Sequence, residues 1–148
     1  MKDTPASGPD VALETSRREA SLALGVGETM LHAELGPAAH ARDLVPALER
    51  LLAAAGVERR GGKLSLAAVI VGLGPGSYTG LRVGIATAQA LARASGATLH
   101  GIPSFEALAF AELEPGEEGT VAMDARAGRF YHARYRRVSD GLVVLDPP

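Results

Sequence analysis

The residues best placed to do chemistry gather around one glycine-rich turn. Val69, Ile70 and Val71 form an apolar, β-branched run, and Gly72, Gly74, Pro75, Gly76 and Gly80 follow at once, with Ser77 and Thr79 among them. A helical pattern begins just beyond. Strand, glycine loop and helix together offer free backbone N–H groups and the positive end of a helix dipole to an anion. Gly74, Gly76, Ser77 and Thr79 are therefore candidate nucleotide-binding residues. The competing reading makes the two hydroxyls caps for a helix beginning near Gly80. Two common templates fail. A phosphate-binding P-loop needs Gly-Lys-Ser/Thr, and no Lys follows Lys63; the dinucleotide fingerprint needs its third glycine where Ser77 stands. The loop is plain in the sequence, and its ligand stays open.

Other candidate chemistry is sparser. His32, His40, His100 and His132 are scattered, with no pair four apart as a helical zinc site would require. There is no cysteine, so thiolate metal sites and disulfides are excluded. No metal is expected, and spacing alone assigns no catalytic residue. Asp124 reads as a turn acid, with a nucleotide-facing role as the alternative. Arg126, Arg129, Arg134, Arg136 and Arg137 interleave with Tyr131 and Tyr135; such a run is either the solvent face of a strand or an RNA contact.

The helix after the loop carries two surfaces. Leu81, Ile85, Ala88, Leu91 and Ala92 make an apolar, core-facing stripe. Gly80, Gly84 and Ala88 form a second line at four-residue spacing, which lets another backbone approach closely. That backbone belongs either to this chain's own sheet or to another chain. On the second reading Gly80, Arg82, Val83, Gly84 and Thr87 are a partner interface, with Arg82 reaching a carboxylate across it.

These groups need a scaffold. At 148 residues, 47% hydrophobic and 22% charged, with net charge −2, the chain is long enough for a real core and carries no general bias toward nucleic acid or membrane. No apolar run approaches the ~20 residues of a membrane span, and the polar start lacks the apolar centre of a signal peptide; a cytoplasmic protein is expected. Residues 1–9 read as a disordered tail. Val11–Ser16, Ala20–Val26 and Thr29–Leu35 alternate as three strands of an antiparallel meander. After the Gly36-Pro37 break a helix is expected from Asp43 to Ala55, ended by Gly56. Pro46 fits its first turn if Asp43 is the N-cap; a start near His40 implies a kink. Leu66–Val71 reads as a strand buried on both faces. Thr98–Ile102 is a short strand, and Ser104 is expected to cap a helix over Phe105–Glu112. Strands then return at Thr120–Asp124, Arg129–Val138 and Leu142–Leu145. The order is βββαβαβα and then a fresh βββ: an N-terminal lobe over 10–115 and the incomplete start of a second over 116–148.

That order, and several words within it, resembles the bacterial TsaB (YeaZ) family of the actin-like superfamily. GPGSYTGLRVGIATAQALA, Gly74–Ala92, is similar to that family's GPGSFTGLRIG signature and its helix. VALETSRREASLAL, Val11–Leu24, resembles its opening strand pair; His40–Val57 resembles its first helix; and MDARAGRFYHARY, Met123–Tyr135, resembles its LDARRGEVYAALY segment. The resemblance covers about residues 11–138. It implies an α/β, actin-like (RNase H-like) lobe with a mixed sheet. The implied role is that of a non-catalytic subunit for making threonylcarbamoyladenosine in tRNA. Its implied partners are a TsaD-like catalytic subunit, a TsaE-like ATPase, tRNA through the complex, and a second copy when alone. No cofactor is implied for the chain itself, with ATP or ADP entering only in the complex. Glu14 stands where the family usually has Asp, a position that serves the nucleotide's metal in active superfamily members. It is thus either a vestigial metal-facing acid or a polar residue at the loop's mouth. Family members usually extend further, so a truncation, a shortened homologue and half of a split gene are all compatible with this length. The rival readings are a nucleotide-dependent enzyme of the same superfamily and an orphan, truncated homodimer whose pairing role has been lost.

Overall fold

The computed structural model describes residues 8–36, 40–59 and 61–148. In chain order the elements are β1 (Asp10–Glu14), β2 (Ala20–Val26), β3 (Thr29–Leu35), α1 (His40–Ala54), β4 (Ala68–Gly72), α2 (Tyr78–Ser95), β5 (Thr98–Ile102), α3 (Ser104–Glu112), β6 (Glu118–Arg126), β7 (Arg129–Val138) and β8 (Gly141–Asp146). Two sheets result: a five-stranded sheet in the order β3-β2-β1-β4-β5 and a three-stranded sheet β6-β7-β8. In the first, β1 pairs antiparallel with β2 and parallel with β4, and β4 pairs parallel with β5. The α/β expectation therefore holds, with a mixed sheet and a following meander.

Alternation along the strands decides what is buried. Val11 and Leu13, Leu22 and Leu24, and Val69 and Val71 point to the face that α1 and α2 cover, and they join Leu44, Leu48 and Leu52 of α1 in one core. Their neighbours Ala12, Ala23 and Ile70 are half-buried. The strand read as covered on both faces is thus fully buried on one, and it begins at Ala68. α1 begins at His40, so Pro46 lies inside the helix, where it cannot donate to the carbonyl four residues back. Gly56, with φ 66°, follows the helix in the left-handed region, as a residue closing a helix end often does.

Two boundaries differ from expectation. The tail was expected through Pro9; residues 1–7 lie outside the described residues, as does Pro37. Pro9, however, is buried and its carbonyl accepts from Ala67 N–H at 3.0 Å. More consequentially, α3 was grouped with the first lobe, but its buried side chains Phe105 and Ala109 pack with Ala133 and Tyr135 of β7 in a second core. Burial, helped by the charge of Glu106, raises the Tyr135 phenol above its ordinary pKa.

Candidate functional site: a glycine loop clamped by the first hairpin

β1 ends in Glu14, and Thr15 and Ser16 begin the turn to β2. Both turn residues are buried, and both reach the glycine loop between β4 and α2. Thr15 Oγ1 donates to the Gly80 carbonyl at 2.9 Å, across 65 residues of sequence. Ser16 C=O accepts from Ser77 N–H at 2.7 Å. Two of the loop's own donors are committed in the same way: Leu73 N–H to Ile102 C=O at 2.9 Å, and Gly74 N–H to Ser104 Oγ at 3.0 Å. Ser104 N–H returns to Gly74 C=O at 2.9 Å.

These contacts explain the glycines. Gly74 has φ +88°, a left-handed conformation that favours glycine. A Cβ on Gly76 would lie 2.7 Å from Ser16 Cβ and 2.8 Å from Ser16 carbonyl carbon. A Cβ on Gly84 would meet Thr15 Cβ at 3.1 Å and press harder still on its hydroxyl. Gly72 faces the Glu14 carboxylate, whose Cδ lies 2.7 Å from where a Cβ would stand. The loop is a steric clamp between the first hairpin, α2 and the start of α3.

Each candidate residue can now be placed. Glu14 Oε1 accepts from Ser16 N–H at 2.6 Å, which folds the carboxylate back onto its own turn at the mouth of the loop. Among the described residues no group of His, Asp or Glu is arranged to hold a metal ion. Ser77 is the N-cap of α2, its Oγ accepting from Gly80 N–H at 3.3 Å, and Thr79 is exposed in the helix's first turn. The helix starts at Tyr78, two residues earlier than expected. Gly80 and Gly84 lie with Ala88 and Ala92 on the buried side of α2, facing the chain's own β1 and β4. The interface expectation is corrected for these two glycines: close approach at this line is made by Thr15. Arg82, Val83 and Thr87 are left on the remaining surface of α2. Arg82 is exposed, its guanidinium 5.5 Å from the Tyr78 ring centre, and Val83 and Thr87 are half-buried.

Ser104 does not cap α3; its hydroxyl serves Gly74 instead, and Pro103 holds the N-cap position without a side-chain bond. Thr15, Ser16 and Ser104 are the residues sequence reasoning missed. The signal was a run of small hydroxyl residues placed wherever a glycine must be approached. Beside Glu14, on the other side of the turn, lies a hollow of about 370 Å³ lined by Arg17, Glu19, Ser21, Glu34 and Ser104. In the basic segment, Glu118 receives Arg134 at 2.7 Å and Arg136 Nε at 2.8 Å, and Arg137 stacks 3.4 Å over Phe110. Tyr135 is buried. That strand's cations are largely engaged within the chain.

The model of the family described as "TsaD: tRNA N6-adenosine threonylcarbamoyltransferase" matches residues 32–145. The tRNA threonylcarbamoyladenosine biosynthesis protein TsaB of Escherichia coli is 31% identical over 135 residues, which is 89% of this chain and 57% of that protein. The protein of the same name from Haemophilus influenzae is 35% identical over 130 residues, 86% of this chain and 53% of that one. The chain thus spans little more than half the length of these curated relatives. The solved structure of YeaZ from Pseudomonas aeruginosa superposes with a TM-score of 0.79 at 28% identity, covering 93% of this chain and 64% of that one. A matching family model over most of the chain, the curated TsaB relatives and a shared fold agree: the chain belongs to the TsaD-like threonylcarbamoyltransferase family, in its TsaB/YeaZ branch.

Proposed function

We propose that this chain is a non-catalytic partner subunit in the biosynthesis of threonylcarbamoyladenosine in tRNA, acting in the cytoplasm. The observation that carries the proposal is the match to TsaB proteins, together with a loop in which the N–H groups of Leu73, Gly74 and Ser77 are engaged inside the chain. Its work is structural. The outer surfaces of α1 and α2 pack against a TsaD-like catalytic subunit and hold that subunit in a competent form, with a TsaE-like ATPase and tRNA joining the complex. Alone, the same surfaces take a second copy. Val45, Pro46, Ala86 and Ala90 are exposed on these helices beside Arg82, a small-residue surface suited to a close helix contact.

Val83→Glu and Thr87→Arg test this reading. A charge buried in an interface without a partner costs several kcal/mol, so a pull-down with a TsaD-like subunit should weaken at least tenfold while the far-UV spectrum is unchanged. Unaltered binding in both variants would overturn the assignment of α2.

The hollow beside Glu14 favours a second reading, a nucleotide-dependent enzyme. It makes the opposite prediction. On the partner-subunit reading the purified chain turns over ATP at the rate of the buffer blank. Robust turnover that disappears in Glu14→Ala would establish the enzyme.

A further inference from the structure

We propose that Gly74 and Ser104 form a conformational latch that sets the angle between the two sheets. Among the described residues the chain passes from the first sheet to the second core at one place. β5 ends at Ile102, Pro103 follows, and Ser104 opens α3. The proline ring fixes φ there, so the direction of α3 is set by rotation about ψ of Pro103, now 127°. One rotatable bond does not by itself hold a helix at a single angle.

The glycine loop supplies what that link lacks. The β4–β5 ladder ends with Gly72 beside Ile102. Beyond it Leu73 N–H donates to Ile102 C=O at 2.9 Å, Gly74 N–H to Ser104 Oγ at 3.0 Å, and Ser104 N–H to Gly74 C=O at 2.9 Å. Hydrogen bonding thus runs past both strand ends and takes in the first residue of α3. Ser104 is 2% exposed, so water does not compete for the pair. The loop is held from its other side and does not follow a moving helix. A Cβ on Gly74 would stand 3.0 Å from Leu81 Cδ1 of α2, and Ser77 N–H is bonded to Ser16 C=O.

The next residue belongs to the other body. Phe105 is fully buried in the second core with Ala109, Ala133 and Tyr135. Consecutive residues of one helical turn are therefore anchored differently, Ser104 to the clamped loop and Phe105 to the sheet β6-β7-β8. Further along α3, Ala107 and Leu108 line the hollow of about 370 Å³ together with Glu19, Ser21 and Glu34. A change in the angle of α3 changes the width of that hollow. The inference does not rest on the partner-subunit reading.

The chain has no cysteine, so pairs of spin labels can be placed without competing thiols. Glu28→Cys with Arg129→Cys reports across the two sheets. Glu28→Cys with Arg50→Cys reports within the first body, and Glu112→Cys with Arg129→Cys within the second. All four sites are exposed. By double electron–electron resonance Ser104→Ala should roughly double the width of the cross-sheet distance distribution and leave both internal pairs unchanged. Ser95→Ala removes a hydroxyl bonded within α2, to Leu91 C=O at 2.7 Å, and should leave all three pairs unchanged. In the unaltered chain Gly74 N–H should exchange roughly a hundredfold more slowly than an open loop amide. In Ser104→Ala it should exchange about tenfold faster than in the parent. A cross-sheet distribution in Ser104→Ala that matches the parent's would overturn the proposal, as would equal widening of the internal pairs. So would an unprotected Gly74 amide in the unaltered chain, a measurement that stands even where Ser104→Ala fails to fold.

Discussion

Gly76→Ala is expected to destabilise the chain by roughly 1–3 kcal/mol or more, although it adds one methyl group to a loop. The obstacle is Ser16, whose carbonyl carbon lies 2.8 Å from the position the new Cβ would take. Backbone cannot rotate aside as a flexible side chain can. Any shift also strains the hydrogen bond from Ser77 N–H to Ser16 C=O, now 2.7 Å, which anchors the loop to the first hairpin. Gly141→Ala, with nothing within 4 Å of its added Cβ and no positive φ, is the control and should stay within about 0.5 kcal/mol of the parent. Urea denaturation followed by circular dichroism measures both. A Gly76→Ala midpoint matching that of Gly141→Ala would show that the loop is not a clamp. Gly84→Ala is instructive beside it, because its obstacle is mainly the Thr15 side chain. The pair Gly84→Ala and Thr15→Ala should therefore couple in a double-mutant cycle, the second change relieving part of the first.

How far the sequence could be read depended on whether the deciding contact was local. The β2–β3 hairpin was legible because alternation of Leu22, Leu24 and Val26 with small residues needs only its own strand to be recognised. Ser77 was legible as a cap because its acceptor geometry lies within the next turn. The glycines of α2 were not decidable locally. A line of small residues at helical spacing says that a backbone comes close, but not which one. Thr15 decides it, and that residue lies in the turn after β1, 65 residues before the carbonyl it bonds. Ser104 misled for the same reason: a serine at a helix start usually caps it, but here the nearer demand is the N–H of Gly74. α3 itself, SFEALAFAE, is apolar on nearly every side. Its pattern therefore named no face, and only the β7 residues Ala133 and Tyr135 show which sheet it covers.

That second core leads to the other large effect. Phe105→Ala is expected to cost about 3–5 kcal/mol and to release β6, β7 and β8 while the first sheet stays folded. Phe105 is 0% exposed, and among the described residues it shares its cluster with three other buried residues, Ala109, Ala133 and Tyr135. The half-buried Leu113, Val121, Met123 and Leu142 complete the cluster but retain contact with solvent. A core this small has little to replace a lost ring. Among the described residues, the first core, built on Val11, Leu22, Leu24, Leu44, Val69 and their neighbours, includes no residue of α3 or of the second sheet. Phe110→Ala provides the comparison on the same helix. Its ring is 51% exposed and stacked under Arg137, so its loss should cost about 1 kcal/mol. Hydrogen exchange read strand by strand distinguishes the outcomes. In Phe105→Ala the amides of β6 and β7 should lose protection well before those of β1, β2 and β4, and trypsin should cut first among Arg134, Arg136 and Arg137. Simultaneous loss of protection across both sheets would mean that the two cores fold as one unit, and the separation argued from their packing would fall.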